Sequence, residues 1–207
     1  MTINITTTIL ENINTVAQSI IALCSIFALN LIRIAKTDIL TRSQREAATS
    51  ALQKIEEFKK ILVLYLEFNK TLHEHNIQAY NEECGDFVAT SKVLRWGGVS
   101  NNKCMNAAIR LANDLECFSA YFMHRVADEE IAFTPTSIEF CAAVKSIYPY
   151  ISSMRDSETH NLYKNVIQLY QIWFKRIKNE NIKKQMVTLS KELETNTPKI
   201  NPPIGTK

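Results

Sequence analysis

The chain has 207 residues, a formal net charge of +3, and only 4 Gly and 5 Pro. This small net charge argues against a protein that binds nucleic acid through its overall field, because such domains usually have a denser basic face. The scarcity of Gly and Pro argues against a many-stranded fold, which needs frequent turns. The composition therefore predicts an all-α protein with one folded helical unit.

The first element in the chain is an uncharged segment of about twenty residues, which is long enough to cross a bilayer as a helix. It lies between Glu11 and Arg33. Basic residues follow the segment rather than precede it, which argues against a cleaved signal peptide. These basic residues are Arg33, Lys36, Arg42 and Arg45. By the positive-inside rule, the N-terminus is expected outside and the rest of the chain in the cytoplasm.

Polar side chains within this segment cluster on one side of the predicted helix. At about 100° per residue, Asn14, Gln18 and Ser25 fall close together, and the larger apolar side chains fall on another side. Amides facing hydrocarbon are costly, so this polar stripe should meet a neighbouring helix or water. With one span per chain the neighbour is another copy or another protein, and a closed ring of copies would surround an aqueous path. Two simpler explanations stay open, namely a chance arrangement in an ordinary marginal span and a soluble amphipathic core helix.

The rest of the chain has the apolar spacing of an antiparallel helical bundle of four or five helices. Gly97 and Gly98 are expected to end the second helix, and Thr134 before Pro135 to cap the fourth. Helices are predicted over residues 42–72, 77–94, 104–126, 134–149 and 158–178, with a charged continuation over 181–194. Expected core side chains include Phe58, Phe68, Phe118, Phe122, Tyr163, Tyr170 and Phe174. The predicted organisation is a transmembrane segment at 1–36, a cytoplasmic domain at 37–195 and a disordered tail at 196–207.

The five cysteines and four histidines show no metal-binding pattern. No CxxC pair occurs, and an odd number of scattered cysteines argues against a secreted disulfide framework. His73 and His75 are two residues apart, so on a helix they point to different sides. We therefore expect free thiols, no metal and no cofactor. The cysteines are Cys24, Cys84, Cys104, Cys117 and Cys141.

The string RDSETH places Arg155 and His160 with four residues between them. This is the form of the ribonuclease motif of HEPN domains. There a His exchanges protons with the ribose 2′-hydroxyl and the leaving oxygen, and an Arg stabilises charge on the phosphate, without metal. The predicted position, after one helix and at the start of a long amphipathic helix, is also that of the HEPN motif. A plain helix start, with Asp156 or Ser157 as N-cap and Glu158 in the first turn, explains the same string.

With this span and this motif, the chain resembles the membrane accessory proteins of type VI-B, RNA-targeting CRISPR systems, which combine one N-terminal transmembrane helix with a divergent HEPN domain. The resemblance implies a bacterial inner-membrane protein that assembles with its own copies into a ring-like pore. It also implies a role in antiphage defence, in which the pore permeabilises the membrane and supports the RNA-guided effector. Arg155 and His160 are carried over as the HEPN pair.

A membrane-tethered ribonuclease, with RNA as its substrate, is the alternative function. HEPN active sites generally form where two motifs meet across a dimer, and this chain has one motif. A ring of head-to-tail neighbours need not bring two motifs together. We therefore favour a non-catalytic role for Arg155 and His160, in folding or in RNA sensing.

Overall fold

In a computed structural model, the described residues form α-helices joined by short connections. The structure describes residues 2–80, 84–155, 159 and 161–196, and the side chains of residues 2–17, 19, 20, 194 and 196 lie outside this description. The helices are α1 (Thr2–Glu74), α2 (Ser91–Arg95), α3 (Asn102–Met123), α4 (Glu129–Ser153) and α5 (Lys164–Asn196). No strand occurs among the described residues, which confirms the predicted all-α class.

Contacts divide the chain into two compact units, residues 1–47 and residues 48–207. The boundary lies inside α1, whereas the sequence analysis predicted a membrane helix followed by a separate helix at 42–72. One helix forms because no Gly or Pro stands between residues 12 and 74 to interrupt it. Among the residues that the structure describes, no helix has a stretch long and apolar enough to cross a membrane. The first part of the predicted span has side chains outside that description.

The core of the second unit is built around Trp173 of α5, which is fully buried. Rings from α3 and α4 surround the indole at centroid distances of 5.0 to 6.3 Å, and these contacts add to the apolar burial. The rings belong to Phe118, Phe122, Phe133 and Phe140. The indole N–H donates to the carboxylate of Glu129, so the one polar atom of this side chain has a partner.

Arg176, one turn after Trp173, binds α5 to the N-terminus of α4. Its guanidinium donates two hydrogen bonds to the Glu130 carboxylate, at 2.7 and 2.6 Å, and lies 3.7 Å from the centroid of the Phe133 ring. These hydrogen bonds lower the pKa of Glu130. Such a fork-to-carboxylate pair fixes geometry as well as adding energy, so it sets the register of α5 against α4.

The part of α1 within the second unit packs on α3 and α4. Phe58 contacts Phe118 at a ring-centroid distance of 5.0 Å, and Phe68 contacts Tyr150 edge-on at 5.6 Å. Both positions were predicted as core. Phe174 was also predicted as core, but its side chain is 44% exposed, because Trp173 occupies the inward position of that turn.

The predicted helix at 77–94 is wrong, because residues 77–80 and 84–90 are not helical and the helix in this region is Ser91–Arg95. Phe87 has a positive φ of 54° and is 1% exposed, with its ring between Tyr148 at 4.8 Å and Tyr170 at 5.6 Å. A positive φ is incompatible with a continuing right-handed helix. Burial of the Phe87 ring therefore decides the backbone conformation here, although the apolar spacing of the sequence favours a helix.

The predicted cap at Thr134 and Pro135 is also wrong, because α4 begins five residues earlier at Glu129. The Asp128 side chain accepts hydrogen bonds from the backbone N–H groups of Glu130 and Ile131, at 2.9 and 3.4 Å. A carboxylate that satisfies two free N–H groups and complements the helix dipole is the stronger start signal. Pro135 then lies inside the helix at an exposed position.

Replacing Trp173 by Ala should lower the free energy of unfolding by about 3–5 kcal/mol, because it removes the largest core side chain and leaves a cavity among four rings. Ile172→Ala is the matched control, since Ile172 is 49% exposed and should change stability by no more than about 0.5 kcal/mol. Chemical denaturation of the full chain in detergent, followed by circular dichroism, measures both. Equal losses in the two variants would contradict this account of the core.

Candidate functional site

The predicted polar stripe lies on α1. Positions 14, 18 and 25 share one face of a continuous helix, and Gln18 and Ser25 are exposed, whereas the Asn14 side chain lies outside the described residues. The Ser25 hydroxyl donates to the carbonyl of Ile21 at 2.8 Å. Because that bond satisfies the hydroxyl within its own helix, Ser25 can face lipid at little cost. The case for a polar contact between helices therefore depends on the amides of Asn14 and Gln18.

Large apolar side chains surround α1 between residues 21 and 40. Each of them is at least 54% exposed. They are Ile21, Leu23, Ile26, Phe27, Leu29, Leu31, Ile32, Ile34, Ile39 and Leu40. Exposed apolar side chains that lie together on a protein surface mark interaction sites. This surface therefore needs lipid or another protein chain around it.

Charged residues interrupt the C-terminal part of this apolar surface, from residue 33 onward. Arg33 and Lys36 are the first, and Asp38 forms an exposed ion pair with Arg42 at 2.9 Å. An exposed pair four residues apart on a helix contributes little to stability. The sequence of α1 thus changes from uncharged to mainly basic residues along this helix.

The RDSETH motif lies in the connection between α4 and α5. Arg155 is half-buried in coil directly after α4, and this burial lowers the pKa of its guanidinium. An arginine so perturbed still keeps its charge at neutral pH, so it can bind an anion. His160, with Asp156, Ser157 and Glu158, lies outside the described residues, so the geometry of the pair is not defined.

The expectation that RDSETH opens the last long helix is wrong, because α5 begins at Lys164. Tyr163, just before it, has a positive φ of 58°, which separates the motif from the helix. The Thr159 hydroxyl donates to the carbonyl of Met154 at 2.8 Å, and the Leu162 N–H donates to the Thr159 carbonyl at 2.8 Å. Thr159 therefore ties the middle of the motif loop to the end of α4.

The C-terminal end of this loop is fixed by α3. The Glu116 carboxylate accepts hydrogen bonds from the backbone N–H of Val166 at 2.8 Å and of Asn165 at 3.1 Å, and from the Asn165 side-chain amide at 2.8 Å. The Tyr163 hydroxyl donates to Asn113 of α3 at 3.1 Å. The first turn of α5 is thus capped by a side chain from another helix, which holds the loop at both ends.

Sequence reasoning missed this role of Glu116 and Asn113. Both belong to the amphipathic pattern of α3, where an acidic or amide residue on the polar face is unremarkable. Their partners lie about fifty residues later in the chain, and capping rules apply only to neighbours in sequence. No local signal could have identified them.

A groove of about 520 Å³ beside α2 combines aromatic and basic side chains. Tyr80 and Trp96 form an edge-on pair at 6.0 Å, the Trp96 indole N–H donates to the Gln78 carbonyl at 3.2 Å, and Lys92 and Arg95 line the same groove. Aromatic faces beside cations are the groups that bind single-stranded nucleic acid. Residues 81–83, which follow Tyr80 in the sequence and include two glutamates, lie outside the described residues.

The five cysteines are free thiols. Burial raises the pKa of Cys141 to about 12 and also raises that of Cys104. A thiol with a raised pKa stays protonated at neutral pH and is a poor nucleophile or metal ligand. Within the described ranges, no group of three or more His, Cys, Asp or Glu side chains is placed to hold a metal ion.

Comparison with protein-family models, with curated proteins and with solved structures found no match to this chain.

Replacing Glu116 by Ala should loosen the start of α5 and the motif loop, because two backbone N–H groups lose their acceptor. We expect a loss of about 1–3 kcal/mol in the free energy of unfolding. Hydrogen exchange should quicken most in peptides that cover residues 159–169. Asp114→Ala is the matched control, since Asp114 is an exposed acidic residue two positions earlier on α3. Unchanged exchange around Val166 in the Glu116 variant would refute the cap.

Proposed function

We propose that this chain is a membrane-anchored accessory protein of a type VI-B, RNA-targeting CRISPR system. In this proposal it assembles with its own copies into a pore that permeabilises the inner membrane during antiphage defence. The observation that supports it most is the region of α1 from residue 21 to residue 40, where large apolar side chains are exposed on every side. A bilayer provides the environment that such a helix needs, and the basic residues after it orient the N-terminus outside and the bundle in the cytoplasm.

Self-assembly follows from the amides in the same segment. Asn14 and Gln18 are one helical turn apart, so the two positions share one face of the helix. In hydrocarbon these groups gain most by bonding to a neighbouring copy or by facing water in a shared lumen. The amides also lower the hydropathy of the segment, as is common in spans that associate with other helices.

The defence role comes from the resemblance of the layout, which has one N-terminal span and the RDSETH motif in a helical domain. In this proposal the effector is a functional partner whose activation precedes pore opening. Arg155 has a partly desolvated positive charge in a loop that Thr159 and Glu116 hold at both ends. A cation held in this way fits the sensing of an anionic ligand such as RNA.

Replacing both Asn14 and Gln18 by Leu should reduce the ion flux across the membrane of vesicles that contain the protein. It should also reduce the molecular mass of the protein's assembly in detergent, because fewer copies stay together. The reason is that the amides are lost from the helix–helix contact and from the lumen. Ser25→Ala is the control, because that hydroxyl already bonds to its own helix and its loss should leave flux near the wild-type value. Light scattering in detergent and potassium release from vesicles measure the two effects.

Several results would overturn the pore. Flux and mass that stay unchanged in the Asn14/Gln18 double variant would exclude a lining or interface role for these amides. A wild-type monomer in detergent would exclude the ring. Extraction of the wild-type chain from membranes by high salt or high pH alone would exclude the anchor.

A membrane-tethered ribonuclease is the second candidate function. Two observations favour it: the charged, half-buried Arg155 in a fixed loop, and the groove of Tyr80, Trp96, Lys92 and Arg95. Trp96 packs edge-on against Tyr150 at 5.3 Å, and Tyr150 lies in the last turns of α4, which lead to Arg155. RNA bound in the groove would therefore be near the end of α4.

This second function predicts that wild-type protein cleaves single-stranded RNA when the effector is active, and that His160→Ala removes the cleavage without changing the circular dichroism spectrum. The reason is that the HEPN chemistry assigns the proton exchange with the ribose 2′-hydroxyl to the histidine of the motif. His124→Ala is the control, because His124 is an exposed residue at the end of α3. Gel analysis of labelled RNA measures the activity, and intact RNA with active wild-type complex would exclude the ribonuclease.

A further inference from the structure

The C-terminal part of α5 extends beyond the bundle. Trp173 is the last fully buried residue of the helix, Ile177 is half-buried, and every described side chain from Lys178 onward is exposed. The helix continues to Asn196, so this tail helix, residues 178–196, is about 27 Å long at 1.5 Å per residue. A helix of this length without a partner is marginal in water, which raises the question of what it contacts.

Apolar side chains form one narrow stripe along the tail helix. Its residues are spaced by four, three and four positions and are 45% to 70% exposed. They are Ile182, Met186, Leu189 and Leu193. Val187 is the one other large apolar residue in this segment. A stripe with the a/d spacing of a coiled coil is the surface that packs against another helix.

We propose that the tail helix pairs with the tail helix of a second copy of this chain, in antiparallel orientation. The spacing of four, three and four is the same when it is read backwards, so the stripe is complementary to itself. Ile182 then faces Leu193 of the second copy, and Met186 faces Leu189. Such a contact is isologous, with the same surface used on both chains.

The charges beside the stripe favour antiparallel over parallel pairing. In a parallel pair, Lys178 of one chain would lie against Lys183 of the other at the flanking positions, where like charges repel. In an antiparallel pair, Lys183 lies near Ser190. The first half of the tail, with Lys183, then lies beside the second half, with Glu192. Lys191 points away from the seam, on the same outer row as Lys184.

A bilayer surface is the competing partner, because the tail helix is amphipathic and has several lysines. Membrane-surface helices usually have a broad apolar face, and this one has a seam of four side chains. The narrow seam therefore favours another helix. Four layers form a small contact, so the pairing should depend on protein concentration. It does not rest on the proposed pore.

Cysteine cross-linking of the full chain in detergent tests the pairing. Exposed Cys24 and Cys117 are first replaced by Ser, and single Ile182→Cys, single Leu193→Cys and the double variant are then oxidised with copper phenanthroline. In the antiparallel pair, two copies of position 182 lie about 16 Å apart along the axis, at 1.5 Å per residue. A disulfide needs Cα atoms about 4.4–6.8 Å apart. We therefore expect covalent dimers from the double variant alone.

The matched control is the double variant Lys184→Cys/Lys191→Cys, whose positions lie at the same level along the pair but on the outer side. It should give no dimer. Dimers from the single variants would show a parallel pair and overturn the orientation. Absence of dimers from all variants would overturn the pairing. If vesicles with the same protein still show ion flux although no cross-linked dimer forms, the tail pairing is wrong and the proposed pore is not.

Discussion

Among the described residues, one copy of this chain exposes an excess of large apolar side chains on its helices, and covering them is the constraint that the proposed assembly must meet. The excess lies in two places, around α1 at residues 21–40 and along the tail helix at residues 178–196. The two surfaces differ in shape. The first surrounds its helix, as in a segment solvated by lipid, and the second is a seam one side chain wide, as in a segment that meets one other helix. The shapes of these two apolar surfaces therefore favour different partners, lipid for α1 and another helix for the tail helix.

Between these surfaces, the bundle satisfies its own groups with few exceptions. Trp173 concentrates the aromatic packing, Arg176 joins α5 to the start of α4, and Glu116 joins α5 to α3. Because these contacts all fall in the first half of α5, that half is rigidly fixed while the second half receives no support from the bundle. The same contacts fix one end of the motif loop, since Glu116 caps the turn that follows it. Packing of a single helix thus positions both the Arg155 loop and the tail helix.

The sequence predicted the helical class, because Gly and Pro are rare and apolar spacing is strong. It also predicted most core positions, such as Phe58 and Phe118. It failed where a contact distant in sequence decided the local conformation. Phe87 broke a predicted helix by inserting between Tyr148 and Tyr170, and Glu116 capped a helix that begins almost fifty residues later. Of the candidate site, the sequence placed Gln18 and Ser25 on one face of a helix, and only the structure showed that Ser25 already has a hydrogen-bond partner. The spacing of apolar residues in a sequence predicts which face of a helix is buried, but it does not predict which residues pack against that face.

The symmetries of the two proposed contacts separate their roles. A cyclic ring, in which one rotation relates each copy to the next, forms from a heterologous contact, in which one surface of each copy meets a different surface of the next. An antiparallel tail pair is isologous, so each tail is occupied by one partner and cannot extend a ring. The number of subunits in a pore must then be set by α1, and tail pairing can only join two protomers or two rings. An active site built from two HEPN-type motifs needs a twofold axis, which a simple ring of heterologous contacts does not require and tail pairing provides. If the ribonuclease function were correct, loss of the apolar seam should therefore weaken RNA cleavage, whereas membrane permeabilisation depends on the amides of α1.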